Sequence, residues 1–197
     1  MDSPYHIRKL WPIDGGAFRR HLLRLDPETR HHRFGTAVND SFLEAYAGTA
    51  RRLGTVIYGA FRGSEMHASA ELRALHPLGD AMAEAAFAVE REHQHHGLGS
   101  ALMDRIITTA QNRGIGELYM ICIRENGRMQ RLAEKFGARL KVEDGGFVGH
   151  LESHQPTPVS LMDESFNDTA GFVTAILDCM VRPFVSGPQV RMARLNG

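Results

Sequence analysis

The stretch Gln94-His95-His96-Gly97-Leu98-Gly99 constrains this chain more than any other, because of what flanks it. Ahead of it runs an apolar, strand-like segment, Ala85-Ala86-Phe87-Ala88-Val89. Behind it, residues 98–113 repeat apolar side chains at Leu98, Ala101, Leu102, Ile106, Ile107 and Ala110, the spacing of an amphipathic helix. A strand, a glycine-containing turn and a helix N-terminus together form an anion site, where free N–H groups and the positive end of the helix dipole converge. Gly97 and Gly99 allow the backbone to approach a ligand with no Cβ in the way. The expected ligand is a nucleotide or coenzyme pyrophosphate.

Spacing weighs against two common phosphate motifs. A P-loop requires Gly-Lys-Ser/Thr after four intervening residues, and no such Lys follows. A dinucleotide fingerprint requires a third glycine where Leu102 stands, although Glu117 lies near the position of the expected acidic residue.

The segment instead resembles the GNAT superfamily of acyl-CoA-dependent N-acyltransferases, whose signature is Gln/Arg-x-x-Gly-x-Gly/Ala at the start of the central helix. Gln94, Gly97 and Gly99 match it. Asn126 and Met129, then Leu132-Ala133-Glu134-Lys135-Phe136-Gly137, resemble the family's second segment, which packs beside the coenzyme. The resemblance spans residues 7–151. It implies an α/β fold with a mixed central sheet of about seven strands, splayed central strands and flanking helices. It also implies acetyl-CoA as cosubstrate, held by Val89, Gln94, His95, His96, Gly97, Leu98, Gly99, Ser100 and Asn126.

The pattern of elements agrees. Strands are expected at residues 5–11, 55–61, 66–73, 83–90, 117–123, 139–143 and 146–151, with turns at Arg62-Gly63-Ser64-Glu65 and Asp144-Gly145. Helices are expected from Asp14 to Leu25, from Asn39 or Asp40 to about Leu53, and over 98–113 and 127–136. Asp26-Pro27 breaks the first helix, His31-His32-Arg33-Phe34 begins an irregular or short helical link, and His76–Asp80 is a loop. Residues 1–152 are thus read as the catalytic domain. Residues 153–197 are read as a linker, Gln155-Pro156-Thr157-Pro158, then an amphipathic helix over 163–182, stopped by Pro183, and a tail. This helix is expected to pack on the chain's own core or on a second subunit as a homodimer, a partner-docking or regulatory role being the lesser option.

Composition narrows the partners. Lys+Arg and Asp+Glu balance at 23 each in 197 residues, so no overall field favours nucleic acid or an anionic membrane. No apolar run is long enough to span a bilayer, and the N-terminus is unlike a signal peptide. Two cysteines without metal-type spacing, read as packing residues, suggest a reducing, cytoplasmic setting.

Acyl transfer from a thioester to an amine requires a base for the amine, stabilisation of the oxyanion, and a proton for the departing thiolate. Glu84 is the expected base: Ala83-Glu84-Ala85-Ala86-Phe87-Ala88-Val89 resembles the corresponding strand of bacterial protein-lysine acetyltransferases. Glu71 is the runner-up, and Glu90 and Glu92 are read as solvent-facing. The Val89 N–H is the family-type oxyanion donor. Asn126, expected with Glu84 to be a catalytic residue, binds pantetheine or a water chain, caps the following helix, or does both. The tyrosine that many members carry seven residues after this Asn is Ala133 here, which leaves Tyr119, another group or water to protonate the thiolate. His93, His95 and His96 are read as phosphate contacts or a solvated loop, and a metal is not expected because they lack a partner at ligand spacing. The acceptor is expected to be a primary amine, on a protein lysine or an anionic small molecule, because Arg19, Arg20, His21, Arg24, Arg30, Arg33, Arg51 and Arg52, partly offset by Glu28, Asp40 and Glu44, would not attract polycationic amines. A different class remains: an acyl-CoA-binding regulatory module without turnover.

Overall fold

The computed structural model describes residues 5–50, 54–75, 82–143, 146–153 and 155–185, without the side chains of 181–185. The chain order is β1 (His6–Lys9), α1 (Gly15–Arg24), α2 (Pro27–Phe34), α3 (Asp40–Thr49), β2 (Thr55–Arg62), β3 (Glu65–Ala74), β4 (Met82–Val89), α4 (Leu98–Asn112), β5 (Glu117–Cys122), α5 (Gly127–Lys135), β6 (Arg139–Glu143), β7 (Gly146–Glu152) and α6 (Pro158–Val185). The strands form one seven-stranded sheet in the order β1-β2-β3-β4-β5-β7-β6. Every neighbouring pair is antiparallel except β4 and β5, which run parallel.

The β4–β5 ladder is short. Met82, Ala83 and Glu84 pair with Glu117, Leu118 and Tyr119, and the pairing stops there. On its other side β4 stays paired to β3 as far as Val89. Residues 85–89 therefore leave one backbone edge open, and the central strands splay into a cleft as expected.

Burial explains how the layers close. Leu98, Leu102, Met103, Ile106 and Ala110 of α4 pack on Val56, Tyr58, Leu72, Leu118 and Met120 of the sheet. On the other face Phe18 and Leu22 of α1 and Leu43 of α3 cover Ile57, Phe61 and Met66. Each fully buried Leu, Ile, Met or Phe contributes roughly 1.5–3 kcal/mol, so these two layers dominate folding.

Three elements differ from the sequence reading. The link after Asp26-Pro27 is a full helix: Asp26 caps it, accepting from the N–H groups of Glu28 and Thr29, Pro27 opens it, and Gly35 ends it at φ 72°. The last helix starts earlier, because Thr157 and Ser160 cap reciprocally at Pro158, and its backbone continues past Pro183 to Val185. The third helix ends at Thr49 with Ala50 at its C-cap; Leu53, like the His76–Asp80 loop, the Asp144-Gly145 turn and the tail beyond 185, lies outside the described residues.

α6 runs along β1 and α4. Arg8 is buried and joins Asp14 at 2.7 Å and Asp178 at 3.3 Å, while Lys9 meets Asp168 at 2.7 Å. Gly171 permits the close approach: a Cβ there would lie 3.1 Å from the Arg8 Cβ. Glu164 accepts from Thr109 and Asn112 of α4. No helix among the described residues is long and apolar enough to cross a membrane.

Candidate active site

Two adjoining cavities fill the splay. The first, about 370 Å³, runs from Phe87, Ala88 and Val89 past the Gln94–Ser100 turn to Arg128, Arg131 and Lys135 of α5. The second, about 250 Å³, holds Glu84, Arg73 and Tyr46 between β4 and Ile121 of β5.

At the first cavity α4 begins without a side-chain cap. Ala101 is the first residue whose N–H turns back into the helix, reaching the Gly97 carbonyl at 3.0 Å. The N–H groups of Leu98, Gly99 and Ser100 are thereby left for a ligand. Gly97 sits at φ 76°, and a Cβ there would meet no protein atom, so conformation rather than crowding demands glycine. A Cβ on Gly99 would press to 3.3 Å against Leu132 of α5. His95 also adopts a positive φ, 65°, which is uncommon for a residue with a side chain.

Sheet register orients the open edge of β4. Glu90 donates its N–H to the His67 carbonyl, so Val89, one residue earlier, belongs to a non-hydrogen-bonded pair and turns its N–H and C=O toward the cleft. Its carbonyl accepts from Gln94 Nε2 at 3.0 Å, and Gln94 in turn accepts from Arg128. Gln94 thus braces the turn against β4. Lys135 donates to Ser100 Oγ at 2.9 Å. An open strand edge, a helix N-terminus and three nearby cations suit an extended amide-bearing ligand that ends in phosphate.

Of the expected binding residues, Val89, Gln94, His95, Gly97, Leu98, Gly99, Ser100 and Asn126 line the first cavity, as does His93. His96 does not; its ring lies 6.4 Å from that of Tyr5. Asn126 caps α5 by accepting from the Met129 N–H at 3.1 Å, and it also lines both cavities, so the two roles coexist.

Glu84 lines the second cavity, about a quarter exposed, with Arg73 Nη1 at 3.9 Å. Glu71 is different. It is 1 % exposed, and its oxygens accept from Arg33 at 2.5 Å, Tyr46 at 2.6 Å and Arg73 at 3.1 Å. Burial alone would raise its pKa, but the Arg33 charge and the bonds from Tyr46 and Arg33 outweigh it and hold the carboxylate ionised. Burial and Glu71 push the Tyr46 hydroxyl up to about 12. Glu71 therefore anchors the cavity wall and has no oxygen to offer an amine.

Glu90 corrects the expectation that it faces solvent. Along β4 the even positions Glu84, Ala86, Ala88 and Glu90 share the face covered by α1, and Glu90 is 8 % exposed beneath His21, Arg24 and His67. Glu92 is exposed as expected. His67, Glu90 and His93 also bring ligand-type atoms within 4.8 Å of one another, a cluster hidden from the sequence because His67 arrives from β3. The rings of His67 and His93 stack at 3.9 Å, so their in-plane lone pairs run side by side rather than converging on one ion.

The arginines of the first helices supply less free charge than their number suggests. Arg19 pairs with Glu44, Arg24 with Glu90, Arg30 with Asp40 and Arg33 with Glu71. Arg51 and Arg52 lie outside the described residues.

Sequence and fold comparisons agree with this geometry. The sequence profile of the acetyltransferase (GNAT) family matches residues 17–138. Among solved structures, the GNAT domain of PAT from S. lividans is 21 % identical, with a TM-score of 0.65 over 75 % of this chain and 90 % of that one. The yncA protein from Salmonella typhimurium, solved with acetyl-CoA, is 18 % identical, with a TM-score of 0.60 over 78 % and 96 %. A cAMP-binding acyltransferase from Mycobacterium smegmatis is 20 % identical, with a TM-score of 0.56; it covers 89 % of this chain, which spans 52 % of it. No curated protein sequence matches the chain. The profile covers more than half of the sequence and both halves of the splayed cleft, and the chain belongs to the GNAT acetyltransferase family.

Proposed function

We propose that the protein is an acetyl-CoA-dependent N-acetyltransferase that acts on a primary amine by direct attack within a ternary complex. The observation that carries this reading is the continuity of the two cavities along β4, from the anion turn at Gly97 to the carboxylate of Glu84. Acetyl-CoA supplies an activated acyl group. The chain's own residues do the rest: the N–H groups of residues 98–100 hold phosphate, the open edge at Phe87 and Val89 pairs with pantetheine amides, and the Val89 N–H faces the acyl oxygen. Glu84 takes the amine's proton, and the fixed geometry replaces a covalent enzyme intermediate.

The acceptor side is the cleft of about 250 Å³ walled by Phe87, Ile121 and Met129, with Glu84 among its lining residues. That shape suits a linear aminoalkyl chain, as carried by a protein lysine or a small amine. Because four arginines are paired, the choice between these rests on cavity shape rather than on surface charge.

In this reading residues 1–152 are the catalytic domain and 153–197 an appendage. The outward side of α6 carries Val159, Met162, Phe166, Val173, Leu177 and Met180, each more than half exposed, at spacings of three, four or seven residues. Its inward side carries the charges that dock on β1 and α4, so the helix is apolar outside and polar inside. We assign the stripe to a second copy of the chain. Six such side chains at roughly 100 Å² each approach the ~800 Å² that each partner of a standard interface buries.

The test is thiol release from acetyl-CoA with a set of lysine peptides and small amines, comparing the wild type with Glu84→Gln. An enzyme loses at least ~100-fold in rate and keeps its coenzyme affinity. A wild type that binds acetyl-CoA yet turns over no acceptor points instead to the binding module, a reading that Ala133 in the usual tyrosine position favours.

A further inference from the structure

The transfer leaves one demand that no residue named above meets: the departing sulfur needs a proton. The usual tyrosine position is Ala133, fully buried. Tyr119 turns its hydroxyl to Glu117 and Met82 and lines neither cavity.

Among the described residues, four line both cavities: His32, Phe87, Asn126 and Met129. They mark the junction, where coenzyme and acceptor must meet. Phe87 and Met129 are apolar. Asn126 does not titrate, and its Oδ1 is engaged by the Met129 N–H. His32 is the one group at the junction that exchanges protons, and its ring nitrogens make no hydrogen bond among the described residues.

Its placement is well supported. α2 is capped by Asp26 at one end and closed by Gly35 at the other, and the adjacent Arg33 is locked to the buried Glu71 of β3. The helix is thus tied to the wall of the second cavity, and His32 is carried to the junction by it.

We propose that His32 is the general acid of the transfer, an assignment that rests on the acetyltransferase reading above. As the amine nitrogen bonds to the acyl carbon, the carbon–sulfur bond breaks and the sulfur leaves with the electron pair. The amine's proton passes to the Glu84 carboxylate. The His32 imidazolium gives its proton to the sulfur and becomes neutral imidazole. Solvent then returns a proton from Glu84 to His32, so an amine and a thioester yield an amide and a thiol, and the protein is unchanged.

Two measurements on the full chain test this, with melting temperatures confirming that each variant folds. The first involves no turnover: calorimetry compares CoA with desulfo-CoA. An imidazolium facing the sulfur favours the thiolate, so the wild type binds CoA several-fold tighter than desulfo-CoA, and His32→Gln brings the ratio close to one. The second is thiol release with lysine peptides. His32→Gln lowers kcat by about 100-fold with KM for acetyl-CoA little changed, and added imidazole restores part of the rate to His32→Ala. An unchanged ratio and an unchanged kcat in His32→Gln overturn the assignment and leave the acetyltransferase reading standing. A rate loss carried by KM, without imidazole rescue, also overturns it. Failure of the wild type to bind CoA at all removes the underlying reading and this role with it.

Discussion

Replacing Glu90 with Gln keeps the size of a buried side chain and removes a charge on which three residues converge. Oε1 accepts from His21 Nδ1 at 2.9 Å and from Arg24 at 2.8 and 3.1 Å, and Oε2 accepts from His67 Nδ1 at 3.0 Å. Burial alone would raise the carboxyl pKa, but the bonds from His21, His67 and Arg24 outweigh it and hold the group at about 2, against an ordinary 4.5. Burial meanwhile lowers the His21 pKa, so the ring is neutral and Arg24 carries the opposing charge. The difference between about 2 and the ordinary 4.5 corresponds to about 3 kcal/mol of stability. The Arg24 side chain is 36 % exposed, and screening trims its share, leaving an expected loss of about 2–3 kcal/mol in Glu90→Gln. For a chain of this length that lowers Tm by roughly 5–10 °C. Because the folded pKa is the lower one, the stabilisation is complete above the ordinary carboxylate value and lost as pH falls from 4.5 toward 2. Between about pH 6 and about pH 3.5 the wild type therefore loses about 1.4 kcal/mol that the variant does not. Urea unfolding at the two pH values measures both effects. A variant within about 0.5 kcal/mol of the wild type at neutral pH, or an equal acid dependence in both proteins, refutes the reasoning.

Other perturbations probe separate parts of the account. Gly97→Glu forces a side chain into φ 76°, costing about 1–2 kcal/mol, and sets an anion at the turn; calorimetry should show acetyl-CoA affinity at least ~10-fold weaker, and an unchanged affinity would contradict the pyrophosphate assignment. Phe166→Glu charges the outward stripe of α6 without touching its docked side, so light scattering should show a dimeric wild type becoming monomeric at nearly unchanged Tm. A wild type that is already monomeric at tens of micromolar would contradict the assignment of that stripe to a second copy.

Most of the fold, including the glycine turn that opens α4, is legible because its signals are local. Alternation along residues 83–90, the glycines at 97 and 99 and the periodicity of 98–113 all act within a few residues of one another. α2 is equally legible in principle: Asp26 before Pro27 is an N-cap followed by a first-turn proline, and the same pair that ends α1 starts the next helix. Glu90 is hidden from the sequence for a different reason. Its position past the apolar run suggested a strand exit, whereas its partners His21, Arg24 and His67 lie 23 to 69 residues away in sequence. No local pattern announces such a cluster. The same holds for His32, which becomes significant only when α2 is folded against the splay of β4 and β5. α6 outran its expected start because Thr157 and Ser160 cap each other, turning a Pro-rich linker into the first turn of a helix.

Thermal unfolding with acetyl-CoA, with CoA and NAD as parallel controls, tests the central claim most directly. At about 100 times its dissociation constant a ligand adds about 2.7 kcal/mol, which raises Tm by several degrees in a chain of this size. The account predicts that acetyl-CoA and CoA stabilise the protein and NAD does not. No shift with saturating acetyl-CoA, or an equal shift with NAD, would contradict it.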